Sequence, residues 1–185
     1  MKPNYDPVAM KATIEKSAED LRQLLIQLPD KDAVTDVFDY MVGALYGLRK
    51  AIDLGFVDRP GGWHSSYRPH LPQYVEAIQT GKPLNQLWLA GFYFNSAIQR
   101  LAACFDRIPK LLQATGGTAR TKMKSANKAS YKEWDAVYNE INVYKHNTEG
   151  RATGREVGTA EAVAAFNQAV ALLLTEEAKL KRLYS

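Results

Sequence analysis

Residues 87–112 read LWLAGFYFNSAIQRLAACFDRIPKLL, and the fold follows from them. Leu87, Gly91, Phe94, Ile98, Leu101, Phe105, Ile108 and Leu112 succeed one another at spacings of four and three residues. A helix repeats every 3.6 residues, so this alternation lays all eight on one stripe. A stripe of that length is the buried seam of a helix packed at a shallow angle in a bundle. Pro109 lies inside it and predicts a kink or a break, because proline has no N–H and its ring collides with the preceding turn. Gly116 and Gly117 end whatever remains.

The same alternation extends in both directions. Asp6-Pro7 reads as an N-cap followed by proline at the first helical position. Met10, Ile14, Ala18, Leu21, Leu25 and Leu28 then predict a helix over about 7–28, stopped by Pro29. Val34, Phe38, Met41, Leu45, Leu48 and Ile52 predict a second over about 31–54, with Gly55 as its left-handed stop. Two glycines and two prolines exclude a helix through most of 56–70. A short helix is predicted over 71–80, ended by Gly81. Another is predicted over about 130–146, with Trp134, Val137, Tyr138 and Ile141 inward. The last starts at a Thr159 cap, buries Val163, Phe166, Val170 and Leu173, and ends near Leu183. Residues 116–129 and 147–158 read as loops. No strand-like alternation and no internal repeat occurs. The expectation is a single all-α domain over residues 1–185. It is an antiparallel bundle of four to five long helices with one short extra helix.

Composition narrows the function classes. The 185 residues carry 24% charged and 46% apolar side chains and a formal net charge of +4. This mild bias helps an acidic partner approach without specifying one. The N-terminus lacks the apolar core of a signal peptide, and no run approaches the ~18 apolar residues of a membrane span. A cytoplasmic protein with no membrane role is expected. Cys104, the single cysteine, sits among apolar residues and reads as a core side chain. The histidines, His64, His70 and His146, show no metal-ligand spacing, and no phosphate loop or nucleophile elbow is present. No metal and no cofactor is expected.

Two regions carry candidate chemistry. Asp135, Asn139, Asn142 and His146 stand at i, i+4, i+7 and i+11, one polar stripe beside the apolar one. Such a stripe is either a solvated flank or the lining of a cleft. Asparagine is a poor helix former on an exposed face, which favours the cleft. His146 suits general acid–base chemistry or phosphate donation, and equally a helix C-cap. Lys145, Arg151 and Arg155 offer charge-assisted bonds to phosphate. Residues 107–132 hold seven basic side chains and no acidic one, either a phosphate track or a solvated loop. The second region is the irregular stretch with Trp63, His64, Tyr67, Arg68 and His70. It suits a protein-binding loop or a cover folded over the bundle.

Asn142-x-x-Lys145-His146 at a helix end follows an aromatic-rich helix and precedes a basic loop and one last long helix. This arrangement resembles HEPN domains, all-helical modules associated with RNA and nucleotides in prokaryotic defence. Asn95 to Leu101 is similar to part of their long central helix. The resemblance implies RNA or nucleotide binding by a homodimer that brings two copies of His146 together. Asn142 and His146 match the family's catalytic motif, but Ile141 stands where its arginine is expected. The resemblance therefore implies a binding module without intact ribonuclease activity. An active, metal-independent ribonuclease would take its arginine from elsewhere, such as Arg100 or Arg151. A helical protein-interaction module with no nucleic-acid role is the remaining alternative.

Overall fold

The computed structural model describes residues 6–56, 71–113 and 158–185. Among them the regular structure is entirely helical: α1 (Pro7–Gln27), α2 (Asp32–Asp53), α3 (Leu71–Thr80), α4 (Gln86–Gln113), α5 (Thr159–Thr175) and α6 (Glu177–Tyr184). The all-α bundle is as expected. The helix predicted over 130–146 and the predicted loops, apart from Phe56 and Gly158, lie outside the described residues.

Local chemistry sets the helix ends. The Asp6 carboxylate accepts hydrogen bonds from the Val8 and Ala9 N–H groups at 3.0 and 3.2 Å, with Pro7 opening α1. Beyond α2 and α3, Gly55 and Gly81 take φ of +74° and +69°. There the Phe56 N–H reaches the Ala51 carbonyl and the Lys82 N–H reaches Ala77, each at 2.9 Å. These bonds occupy carbonyls that a helix end leaves unpaired, and they need a left-handed residue at the turn.

Three sequence-based expectations are corrected. The buried stripe of α1 runs through Ser17 and Leu24, while Ala18 and Leu25 are half-buried. The Ser17 hydroxyl can enter the core because it donates to Asn167 Oδ1 at 2.6 Å. Of the kink or break expected at Pro109, the break does not occur, and α4 continues to Gln113. Burying Leu111 and Leu112, at 2% and 1% exposure, contributes roughly 3–6 kcal/mol. That is enough to offset the ~3 kcal/mol cost of an interior proline. The final helix divides at Glu176, and Thr159 is its first helical residue rather than its cap. Gly158 precedes it in extended conformation, its N–H bonded to the Glu161 carboxylate at 3.1 Å. At the division, the Thr175 hydroxyl donates to the Ala171 carbonyl at 2.9 Å, a back-bond that bends helices.

The core gathers α1, α2, α4, α5 and α6 around Phe38, Phe94, Phe105 and Phe166, each exposed by 2% or less. Phe56, just past α2, stacks on Phe94 with ring centroids 4.8 Å apart. Paired residues define the directions. Lys11 meets Asp53 at 2.7 Å and Glu15 meets Arg49 at 2.5 Å, so α1 and α2 are antiparallel. Arg107 meets Asp36 and Arg100 meets Asp39, so α2 and α4 are antiparallel too. Ser17 meets Asn167 and Gln27 meets Lys181, so α5 and α6 run alongside α1 in its own direction. The Tyr184 hydroxyl donates to the Leu111 carbonyl at 2.8 Å, tying the ends of α6 and α4.

Among the described residues the α2–α4 contact is the most extensive, and one glycine permits it. A Cβ on Gly47 would lie 2.7 Å from the Tyr93 carbonyl oxygen and 2.9 Å from Ala97 Cβ. Real side chains do not tolerate such distances to backbone, so the two helices touch main chain to main chain. Gly47→Ala should therefore destabilise the protein by about 1–3 kcal/mol through overpacking. Helix propensity alone gives the opposite sign, a gain of roughly 0.5–1 kcal/mol. Urea denaturation followed by circular dichroism distinguishes the two.

Candidate functional site

The same close approach of α2 and α4 draws side chains onto their shared outer seam. Tyr46 sits one turn before Lys50 on α2, outside the apolar stripe, and is 55% exposed. Tyr93 of α4 meets it edge-on, with ring centroids 6.0 Å apart. Phe92, 53% exposed, stands edge-on to Tyr93 at 6.0 Å and stacks on Trp88 at 5.6 Å. Trp88 in turn lies 4.9 Å from Tyr74 of α3. Five rings from three helices thus form one connected strip. The spacing explains part of it, since Trp88 and Phe92 are four residues apart and neighbours on a helix face. Val42 of α2 is exposed, as are Val75 and Ile78 of α3.

Cations border and continue the strip. The Lys50 ammonium lies 5.6 Å from the Tyr46 ring centroid. Seven residues beyond Tyr93, Arg100 lies across α2 at Gly43, its guanidinium 3.7 Å from the Asp39 carboxylate. Seven further on, Arg107 stacks over the Tyr40 ring at 4.4 Å and donates to Asp36 at 2.7 Å. It also donates to the Tyr40 hydroxyl at 3.3 Å and the Ala103 carbonyl at 3.4 Å. Rings and cations therefore interleave along one seam, where planar, negatively charged or aromatic ligands find both stacking faces and charge. Asp36 and Asp39 moderate that charge.

Of the residues singled out from the sequence, Arg100 lies within the described residues, on this seam, as do Arg107 and Lys110 of the basic stretch. Asn139, Asn142, Lys145, His146, Arg151 and Arg155 lie outside them. So do Trp63, His64, Tyr67 and Arg68. Sequence reasoning missed Tyr46, Tyr74, Trp88, Phe92 and Tyr93. The available signal was Trp88-x-x-x-Phe92-Tyr93, large rings standing off the predicted stripe of their own helix.

Other chemistry among the described residues is limited. No cluster of three or more metal-ligating side chains occurs there, and no helix there is long and apolar enough to cross a membrane. Cys104 is buried in the core, 3.7 Å from the Val37 carbonyl. Burial pushes its thiol up to about 12, so it is not a nucleophile at neutral pH. No family model matches the chain, and no curated protein or solved structure matches it.

Native protein should resist alkylation of Cys104 by iodoacetamide at pH 8, and react fully in denaturant. Mass spectrometry reads both. Because the folded thiol titrates above its unfolded value of 9.0, its stabilising contribution is complete below pH 9 and falls as pH rises towards 12.

Proposed function

We propose that the chain is a helical module that binds single-stranded RNA or a nucleotide through the α2–α4 seam, without ribonuclease activity of its own. The observation that carries this reading is the connected strip Tyr46–Tyr93–Phe92–Trp88–Tyr74 with Lys50 and Arg100 along the same seam. Exposed rings give unpaired bases a surface to stack on, and every base has a face to offer. Neighbouring cations meet the phosphates, and the net charge of +4 favours the encounter. The resemblance of Asn142 to His146 to HEPN domains supports the same ligand class. A cytoplasmic homodimer with a prokaryotic defence role is the setting that resemblance implies, and it belongs to the proposal.

A second reading is a protein-interaction surface. Val42, Val75 and Ile78, exposed beside the rings, favour it. Tyr, Trp and Arg anchors are also what protein interfaces use.

Titrating a fluorescent U-rich oligonucleotide decides between them. RNA binding should weaken as salt rises, with a linear log–log slope. Phe92→Ala, at an exposed position, should keep the fold and weaken binding about 5- to 150-fold, the ~1–3 kcal/mol of one stacked base. Wild-type protein that fails to bind overturns the RNA reading. Recovery of a protein partner that is lost on Phe92→Ala would then establish the second. Chemistry is tested separately on structured RNA. Wild type and His146→Ala should both leave it uncut, because Ile141 replaces the motif arginine. Cleavage by wild type alone would restore the ribonuclease.

A further inference from the structure

Two glycines interrupt the middle of α2, and only one is explained by packing. Each costs roughly 0.5–1 kcal/mol relative to alanine in a helix. Gly47 is explained by the main chain of α4 pressed against it. At Gly43 the situation differs. The three atoms nearest an added Cβ all belong to the Arg100 side chain: Cδ and Nη1 at 2.6 Å and Cζ at 2.8 Å. No backbone is among them. What Gly43 accommodates is a long, flexible side chain laid flat across the helix.

Arg100 and Arg107 stand seven residues apart on the same face of α4, and their surroundings contrast. Arg107 has a close carboxylate at 2.7 Å, a ring beneath it and two further acceptors. Arg100 has Asp39 at 3.7 Å, beyond hydrogen-bonding distance, with the two side chains 42% and 76% exposed. A pair so exposed and so long contributes little to stability. The guanidinium is held in place by shape, while its donors are not committed to a close carboxylate. Gly43, which it crosses, is one turn from Tyr46 on α2.

We propose that Arg100 is a phosphate-binding subsite and that Gly43 is its positioning residue. The inference rests on the nucleotide- or RNA-binding reading and specifies where a phosphate is held. The planar fork presents paired N–H donors, the geometry that phosphate oxygens accept. Gly43 fixes the side chain beforehand, so binding does not have to order it. Asp39 serves as the weak resident counter-ion that a phosphate outcompetes.

The experiment has two arms. In the first, the arginine Nε–Hε resonances of isotopically labelled protein are followed while inorganic pyrophosphate is added. The Arg100 resonance should shift and that of Arg107 should stay. In Gly43→Ala the Arg100 response should vanish, although this variant melts no lower than wild type. In the second arm, Arg100→Gln and Gly43→Ala should each weaken U-rich RNA binding about tenfold or more. Arg100→Gln should also reduce the salt slope by about 1. The double variant should bind no worse than Arg100→Gln. An unmoved Arg100 resonance in wild type overturns the subsite, and a response that survives Gly43→Ala overturns the positioning role. A pyrophosphate response without RNA binding keeps the subsite and removes the RNA reading. RNA binding that depends on Phe92 and ignores Arg100 does the reverse.

Discussion

A methyl group on residue 47 would sit 2.7 Å from the Tyr93 carbonyl oxygen, and the rest of the molecule is arranged around its absence. With nothing between them, α2 and α4 lie main chain against main chain. The large side chains that would otherwise separate them are displaced to either side. On the inner side Met41, Leu48, Phe94, Leu101 and Phe105 fill the core at 2% exposure or less. On the outer side Tyr46, Tyr93, Arg100, Tyr40 and Arg107 crowd along the seam. The proposed binding surface is thus a by-product of tight packing. Its rings touch because the helices beneath them do.

The seam repeats with the period of the packing. On α4, Tyr93, Arg100 and Arg107 are spaced by seven residues, and each meets a residue of α2 one step earlier along that helix: Tyr46, Gly43 or Asp39, then Tyr40 and Asp36. Two shallow-crossing helices keep such a register over several turns. The chemistry changes at each step: ring on ring, then cation on glycine, then cation on ring. The middle step is the open one, between two that are closed by stacking or by a short ion pair.

The helices of the described residues, apart from the separate α6, were legible in the sequence because each has an apolar stripe or chemical punctuation at its ends. Asp6-Pro7, Gly55 and Gly81 marked boundaries that the structure places within a residue or two. What escaped the pattern depends on neighbours in space. Ser17 can be buried because Asn167, 150 residues away, accepts its hydrogen bond. The division at Glu176 follows a Thr175 back-bond that apolar spacing does not encode. The break expected at Pro109 failed because two buried leucines offset one lost hydrogen bond. The aromatic strip was invisible for the same reason. Trp88, Phe92 and Tyr46 look like spare apolar residues until three helices bring them together. Of the candidate site read from the sequence, Arg100 is the part that the described residues contain.

The directions of the helices have an electrical consequence. Among the described residues three long helices, α1, α4 and α5, run one way and α2 runs against them. Each helix carries about half a negative charge at its C-terminal end and half a positive charge at its start. Among the described helices one opposed pair cancels and two remain uncompensated, so together these helices have poles, with roughly one elementary charge of either sign at their ends. The cations of the last turns, Lys110 on α4 and Lys181 and Arg182 on α6, sit at the negative pole and offset it. At the opposite pole the Asp6 carboxylate caps α1 and Glu161 serves α5, while the first turn of α4 contains no acidic side chain. These helices thus have a direction as well as a proposed binding face. An anion on the proposed seam, passing from Arg100 to Lys50, would move towards the positive end of these helices.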